Sequence, residues 1–308
     1  MKMSGISTNR TNITLPAEVS QEILQKTQQA SAIMQLARQI ALPGRGVQIP
    51  VITSDPSAAW VAETGAKAVS NPGLSTKLME AYTLAVIVPF SNQFLRDARA
   101  LYDALVARLP GALALKFDQT VMGAVAKPGA NFDNFAGCTA QSLIATVGHT
   151  AYDALVAAFA DIADGGFALD GFGLSPTAQG ILLGATDSNG RPLFVNSVAE
   201  GAIPRILGAR AVMGRGLYSA GQAAAGSSSG TPASIGVAGD WSQAMYGVVE
   251  GVKIDVSDQA TLTSGTTTIN LWQRNMFAVR CEAELGFVCA DTDAFFKIAA
   301  SGATGTTA

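Results

Sequence analysis

Charge is what this 308-residue chain has least of. Only 14% of its residues are Asp, Glu, Lys or Arg, against roughly 25% in an average soluble domain. Hydrophobic residues make up 48%. A surface so poor in charge suits burial against other subunits, so an assembly is the first expectation. A monomer coated in serine, threonine and glycine is the other reading. The net charge of −3 gives no general attraction to nucleic acid or to an anionic membrane.

Metal and redox chemistry are equally short of means. His149 is the single histidine, and the three cysteines are Cys138, Cys281 and Cys289. These cannot supply a conventional zinc set. Cys281 and Cys289 fall eight residues apart on one strand face, roughly 26 Å at strand rise, too far for a disulfide. All three read as buried small hydrophobes. No apolar run reaches the roughly 18 residues of a membrane-spanning helix. The start, MKMSGISTNRTN, lacks the apolar core of a signal peptide, so the chain is expected to be made and assembled in a cytoplasm. The sequons at Asn9 and Asn12 carry no weight without secretion. No phosphate-binding G-x-x-x-x-G-K-[ST] loop occurs. GSSSG, from Gly226, matches the letters of a hydrolase nucleophile elbow but lacks its flanking strand and helix, and His149 comes before it. The two GRG triplets, at Gly44 and Gly214, read as turns. Trp60 and Trp272 read as core or interface. No cofactor and no metal site are expected.

What is present is an ordered series of elements. Residues 1–46 read as an extended arm with one helix, from Pro16 through Gln39, ended by Pro43-Gly44-Arg45-Gly46. Residues 47–90 read as a long two-stranded excursion. VQIPVI and SAAWVAE go out, and KLMEAYTLAVIVPF returns, alternating at Leu78, Glu80, Tyr82, Leu84, Val86 and Val88. The tip, TGAKAVSNPGLST, is rich in turn formers. A hairpin this long cannot bury itself and must reach over something.

Residues 91–140 carry a helical stripe through Phe94, Leu95, Ala98, Leu101, Tyr102, Leu105 and Leu109. Pro110-Gly111 is expected to kink or break it. Residues 141–246 read as an α+β domain. One helix opens at Thr150 and Asp153 and stops at Gly165-Gly166. FALDGFGL is a strand, and Ser175-Pro176 opens a further helix closed by Gly184. DSNGRPLF turns into a short strand, and AAAGSSSGTPAS, from Ala223, is a surface loop by composition. Residues 247–308 read as strands. GVKIDVSD is expected to pair antiparallel with RNMFAVRCEAELGF, residues 274–287. That last stretch alternates strictly. Phe277, Val279, Cys281, Ala283, Leu285 and Phe287 face one way, and Arg280, Glu282 and Glu284 the other.

The order arm, long hairpin, long helix, α+β domain and paired long strands resembles the major capsid proteins of tailed bacteriophages, of the Hong Kong ninety-seven type. VAETGAKAVS, FLRDARALYDALVARLPGALALKFDQTVMGA, FALDGFGLSP through TDSNGRPLF, and GDWSQAMYGVVEGVKIDVSD followed by LWQRNMFAVRCEAELGF carry the likeness, which covers roughly residues 47–298. Each motif alone is weak; their order and spacing make the match specific. The fold it implies is α+β: an N-arm, an extended E-loop hairpin, a P-domain with a long spine helix and long strands, and an α+β A-domain. The function it implies is a shell protein. Hexamers and pentamers tile an icosahedral head around double-stranded DNA held without sequence preference. Separate scaffolding, portal and cement proteins are implied partners, the virion capsid is the implied location, and no membrane is involved. The type member carries a long N-terminal scaffolding segment ahead of its arm. Here the arm begins almost at once, which implies separate scaffolding, assembly without it, or prior processing; the initial methionine disfavours the last.

The resemblance also implies a covalent step. Some members weld subunits when an E-loop lysine attacks an asparagine side-chain amide on a neighbour, assisted by a glutamate. The type member spaces asparagine and glutamate by seven residues, as Asn275 and Glu282 are spaced here. Its lysine follows the glutamate of a V-A-E stretch by four residues, and Lys67 follows Glu63 at that distance. Lys67 and Asn275 are thus the crosslink pair that the likeness implies, with Glu282 as base and Lys77 as a second lysine. Asn275 and Glu282 are an odd number apart, so on a regular strand they serve different subunits. The alternative leaves Lys67 a solvated lysine, Asn275 a strand-start amide and Glu282 an ion-pair partner, as in relatives that lack the weld. Two further readings stand beside the phage head: an encapsulin-like cellular compartment with the same fold, and a soluble α+β enzyme, which the absent catalytic constellation argues against.

Overall fold

Helix begins at Ala17 in the computed structural model, which describes residues 17–300 apart from 45, 55, 57, 62, 64–66, 68, 71–72, 93–97, 143–150, 187–190, 192–204, 222–231, 250–251 and 265–266. The arm holds two helices and a strand rather than one helix: α1 (Ala17–Ala30), α2 (Ala32–Leu36) and β1 (Arg38–Ala41). Ser31 makes the break. Its Oγ accepts the Met34 N–H at 3.1 Å, a start signal for a new helix. Arg38 and Gln39, read as the end of that helix, lie instead in β1.

The excursion contains β2 (Val47–Ser54), β3 (Gly73–Met79) and β4 (Tyr82–Ser91). β2 and β3 pair antiparallel, from Val47 opposite Met79 to Ser54 opposite Gly73. Then comes α3 (Ala98–Val121), which runs on through Pro110. Of the kink or break expected there, the break does not occur. Proline removes one backbone hydrogen bond and costs about 3 kcal/mol in a helix interior. Leu109 before it, and Leu113, Phe117 and Val121 after it, are all buried on one core, and that packing holds the helix together.

β5 (Thr139–Ser142), α4 (Ala151–Asp164), β6 (Gly171–Leu174), α5 (Pro176–Leu183), β7 (Arg205–Ile206), β8 (Ala209–Met213) and β9 (Ser234–Gly239) follow. The punctuation predicted for this stretch acts as expected. Gly166 takes φ +80° just past α4, and Ser175 Oγ accepts the Ala178 N–H at 3.3 Å ahead of Pro176. DSNGRPLF is largely, and AAAGSSSGTPAS mostly, outside the described residues, as are His149 and all of GSSSG.

The chain ends with β10 (Ala244–Val248), β11 (Lys253–Ser257), β12 (Thr261–Ser264), β13 (Thr267–Asn270), β14 (Met276–Cys289) and β15 (Phe295–Ala299). Two sheets result. In the first, β14 is central. β10 and β11 follow each other along one edge, with β11 antiparallel from Lys253 opposite Glu282 to Ser257 opposite Ala278. β4 takes the other edge over ten residues, from Ser91 opposite Met276 to Tyr82 opposite Leu285. The return strand of the excursion therefore divides near Glu80, and its second half belongs to the β14 sheet. The hairpin β12–β13 fills the turn between β11 and β14. The second sheet has the order β5-β15-β9-β6-β8-β7. β15 thus leaves the segment expected to return beside the long helix and pairs in the α+β sheet.

The apolar face predicted for β14 is the face that is buried. Phe277, Val279, Cys281, Ala283, Leu285 and Phe287 join Leu113, Phe117, Phe132, Phe135 and Trp241 in the main core. A second core lies between α4, α5 and the second sheet, around Leu155, Ile162, Phe172 and Leu182. A small third one anchors the root of β2–β3, where Ile49 and Met79 meet Leu42, Met245 and Val288. Gly286 permits that contact. A Cβ there would lie 2.6 Å from the Glu80 carbonyl oxygen, so a side chain would push the hairpin root off the sheet.

Candidate functional site

Lys67 lies in the tip beyond β2 and β3 and is exposed. Large apolar side chains of the same excursion stand open to solvent. Trp60 is fully exposed, and Val69 and Leu74 are 87% and 72% exposed.

Asn275 occupies the turn 271–275, immediately before β14. Its φ is +54°, a left-handed conformation that asparagine tolerates better than most residues. The turn closes through Arg274 N–H to Asn270 C=O at 3.3 Å and Met276 N–H to Leu271 C=O at 2.9 Å. Asn92, which follows the last residue of β4, holds Asn275 twice. Its backbone N–H donates to the Asn275 carbonyl at 3.0 Å, and its Nδ2 donates to Asn275 Oδ1 at 2.8 Å. Asn275 Nδ2 makes no hydrogen bond among the described residues. Trp272, 70% exposed, stands in the same turn.

Glu282 lies on the outward face of β14, with its side chain 24% exposed. Arg280 Nε lies 3.2 Å from Glu282 Oε1, and Arg280 Nη2 donates to Asp255 Oδ2 at 2.7 Å. That hydrogen bond holds the Asp255 carboxyl below its ordinary range, and Lys253, 3.7 Å away, adds to the effect. Glu282 Oε2 is without a partner among the described residues. Asn275 and Glu282 stand about 23 Å apart at strand rise. Within one chain the structure joins none of Lys67, Asn275 and Glu282 by a hydrogen bond or an ion pair among the described residues.

Lys77 is engaged. Its Nζ donates to the Cys289 carbonyl at 2.6 Å and lies 3.5 Å from Asp133 Oδ2. Asp133 Oδ2 also accepts the Cys289 N–H at 3.2 Å. Lys77 thus pins the hairpin root to the end of β14, whereas Lys67 is on the reaching tip.

The cysteines have no part in such chemistry. All three are free and buried. Burial pushes the Cys138 thiol up to about 11 and Cys281 up to about 12, and raises Cys289 as well, so none is a ready nucleophile. Among the described residues no cluster of His, Cys, Asp and Glu could hold a metal ion, and no helix is long and apolar enough to cross a membrane.

The sequence reading passed over two residues. Asn92 gave no local signal, because its meeting with Asn275 depends on the β4–β14 pairing. Asp118 gave one: an acid beside Phe117 and Val121 on an apolar helix. Its carboxylate accepts Ser31 Oγ at 2.5 Å and the Ala32 N–H at 3.0 Å, and burial raises it to about 7 against the lowering effect of those donors.

The sequence matches the Phage capsid family over residues 11–300. It is 31% identical over 305 residues to the probable major capsid protein gp17 of Mycobacterium phage L5, covering 94% of this chain and 90% of that one. Its fold matches a solved chain from Mycobacterium phage Adephagia with a TM-score of 0.69 at 20% identity, over 98% of this chain and 96% of that one. A chain from Gordonia phage Cozz matches with a TM-score of 0.68 at 21% identity, over 89% and 87%.

Proposed function

The chain belongs to the phage capsid family, and on that premise we propose that it is the major capsid protein of a phage head, built from hexamers and pentamers around double-stranded DNA. Its work is structural. The observation that carries this reading is the hairpin: anchored at its root, it presents Trp60, Val69 and Leu74 to solvent. Exposed apolar side chains of that size mark an interaction surface, and a second copy of the chain is the occupant the family implies. The parts read from the sequence are assigned with two changes: 1–46 as arm, 47–90 as E-loop with its second half, β4, paired to β14, 91–140 as spine, 141–246 as A-domain, and 247–308 as the return apart from β15, which pairs with β9 and β5 of the A-domain sheet. DNA is held without sequence preference. Scaffolding, portal and cement proteins act as separate partners, and assembly takes place in the host cytoplasm.

The head is welded by isopeptide bonds between Lys67 and Asn275 of different subunits. The Lys67 amine attacks Asn275 Cγ, the Cγ–Nδ2 bond breaks, and ammonia leaves. A protonated lysine is no nucleophile, and an amide is a poor electrophile. Glu282 of a further subunit takes the lysine proton, helped by the water excluded when the tip docks. Most of the acceleration comes from proximity, which exists only in the assembled shell. The separation of the three residues within one chain supports a reaction gated by assembly. Lys77 is spent on Cys289 and Asp133, which favours Lys67.

Expression of the chain alone, or with its phage's scaffolding, tests the shell reading by light scattering and electron microscopy. Closed particles are expected, with DNA inside the heads purified from the phage itself. A monomer under every condition contradicts the shell, and particles loaded with enzyme cargo instead of DNA contradict the phage head.

A further inference from the structure

We propose that Asn92 is a catalytic residue of the weld, its side-chain amide stabilising the charge that develops on Asn275 Oδ1 when the lysine adds; the inference rests on the crosslinking reading above. The attack turns the planar amide of Asn275 into a tetrahedral centre. The carbonyl π electrons move onto Oδ1, which becomes an oxyanion. Collapse of that centre expels Nδ2 as ammonia, carrying the proton that Glu282 took from Nζ, while the second proton that Nζ sheds on becoming an amide N–H leaves to solvent, and no electron acceptor or donor is needed. Such a centre forms readily only if a donor already points at the oxygen.

Asn92 Nδ2 points there at 2.8 Å before any partner arrives. The meeting is fixed by the fold. Ser91 lies opposite Met276 in the β4–β14 register, which brings together residues 183 positions apart. The Asn92 backbone N–H holds the Asn275 carbonyl independently at 3.0 Å, so the turn is clamped without the side chain. Orientation supplies a second observation. Asn92 Oδ1 is buried and makes no hydrogen bond among the described residues. Leaving a buried acceptor unmet is costly, and what this arrangement secures is the donor on Asn275. With Asn275 Oδ1 held by Asn92, the leaving group Nδ2 makes no hydrogen bond among the described residues.

The experiment follows multimer formation over time in particles brought to maturity, on reducing denaturing gels, for wild type, Asn92→Ala and Asn92→Asp. Asn92→Ala keeps the backbone clamp and removes the donor. Asn92→Asp keeps the shape but offers an acceptor in place of the amide donor. Normal particles of both variants, crosslinking roughly 100-fold slower than wild type, are the expected result. A wild-type rate in either variant overturns the role of Asn92 while leaving the weld intact. Failure of both variants to form particles assigns Asn92 to the structure of the turn and overturns its catalytic role. Absence of multimers in wild type overturns the weld and this inference together.

Discussion

Ser31 donates its hydroxyl to Asp118 Oδ1 at 2.5 Å, linking the arm to the long helix across 87 positions of sequence. The same carboxylate accepts the Ala32 N–H, one of the backbone donors that the start of α2 leaves unpaired. Asp118 therefore caps a helix that is not its own, and it docks the arm on α3.

Its carboxyl is raised from 3.8 to about 7, with desolvation by burial as the largest cause. Between those values the folded chain holds a proton that the unfolded chain releases. The contribution is therefore fully present below 3.8 and is lost as pH rises through about 7. Urea unfolding of the subunit should show stability falling from about pH 4 through about pH 7 and levelling off above it, and Asp118→Asn should flatten the change. Asp118→Ala leaves Ser31 and Ala32 with buried, unmet donors and should cost about 2–3 kcal/mol.

Phe287 packs against Phe117, Phe132 and Phe135 with ring centroids 6.3, 6.2 and 5.5 Å away. It is fully buried. Phe287→Ala should cost about 3–5 kcal/mol, read as a lower urea midpoint with an unchanged slope and as a drop in soluble yield.

Trp60 makes the opposite case. It contributes nothing to the core of its own chain, so Trp60→Ser should leave the unfolding midpoint within about 0.5 kcal/mol of wild type. The same variant should lose particle yield in sedimentation. A variant that unfolds early but assembles normally would contradict the assignment of the tip to a neighbour.

Lys77 and Lys67 separate by function. Lys77→Ala frees the Cys289 carbonyl and should lower stability by about 1 kcal/mol, a modest value for a lysine still partly in solvent. Its particles should still form multimers at the wild-type rate. Lys67→Ala should leave stability unchanged and abolish the multimers.

The sequence made legible what is local. The period-two face of Phe277 to Phe287 predicted a buried strand edge to edge with GVKIDVSD, and both are found. Gly165-Gly166 and Ser175-Pro176 end and start helices where their backbone chemistry requires. What failed to show is long-range. The ten-residue pairing of β4 with β14 cannot be read from either strand alone, and Asn92 meets Asn275 only through it. Nor could Ser31 be told from a mid-helix serine until Asp118 stood beside it. Pro110 misled for a related reason: a single lost hydrogen bond was visible in the sequence, but the packing on both sides of it was not. Lys67, Asn275 and Glu282 were singled out through likeness to a family, since no single chain brings them together.

The most direct test of the assembly-gated weld is peptide mass spectrometry of mature particles after boiling in detergent and reductant. A peptide containing Lys67 joined to one containing Asn275, lighter than their sum by one ammonia, is the predicted result. A single band of uncrosslinked subunit, with Lys67 and Asn275 both recovered unmodified from fully mature particles, would contradict it.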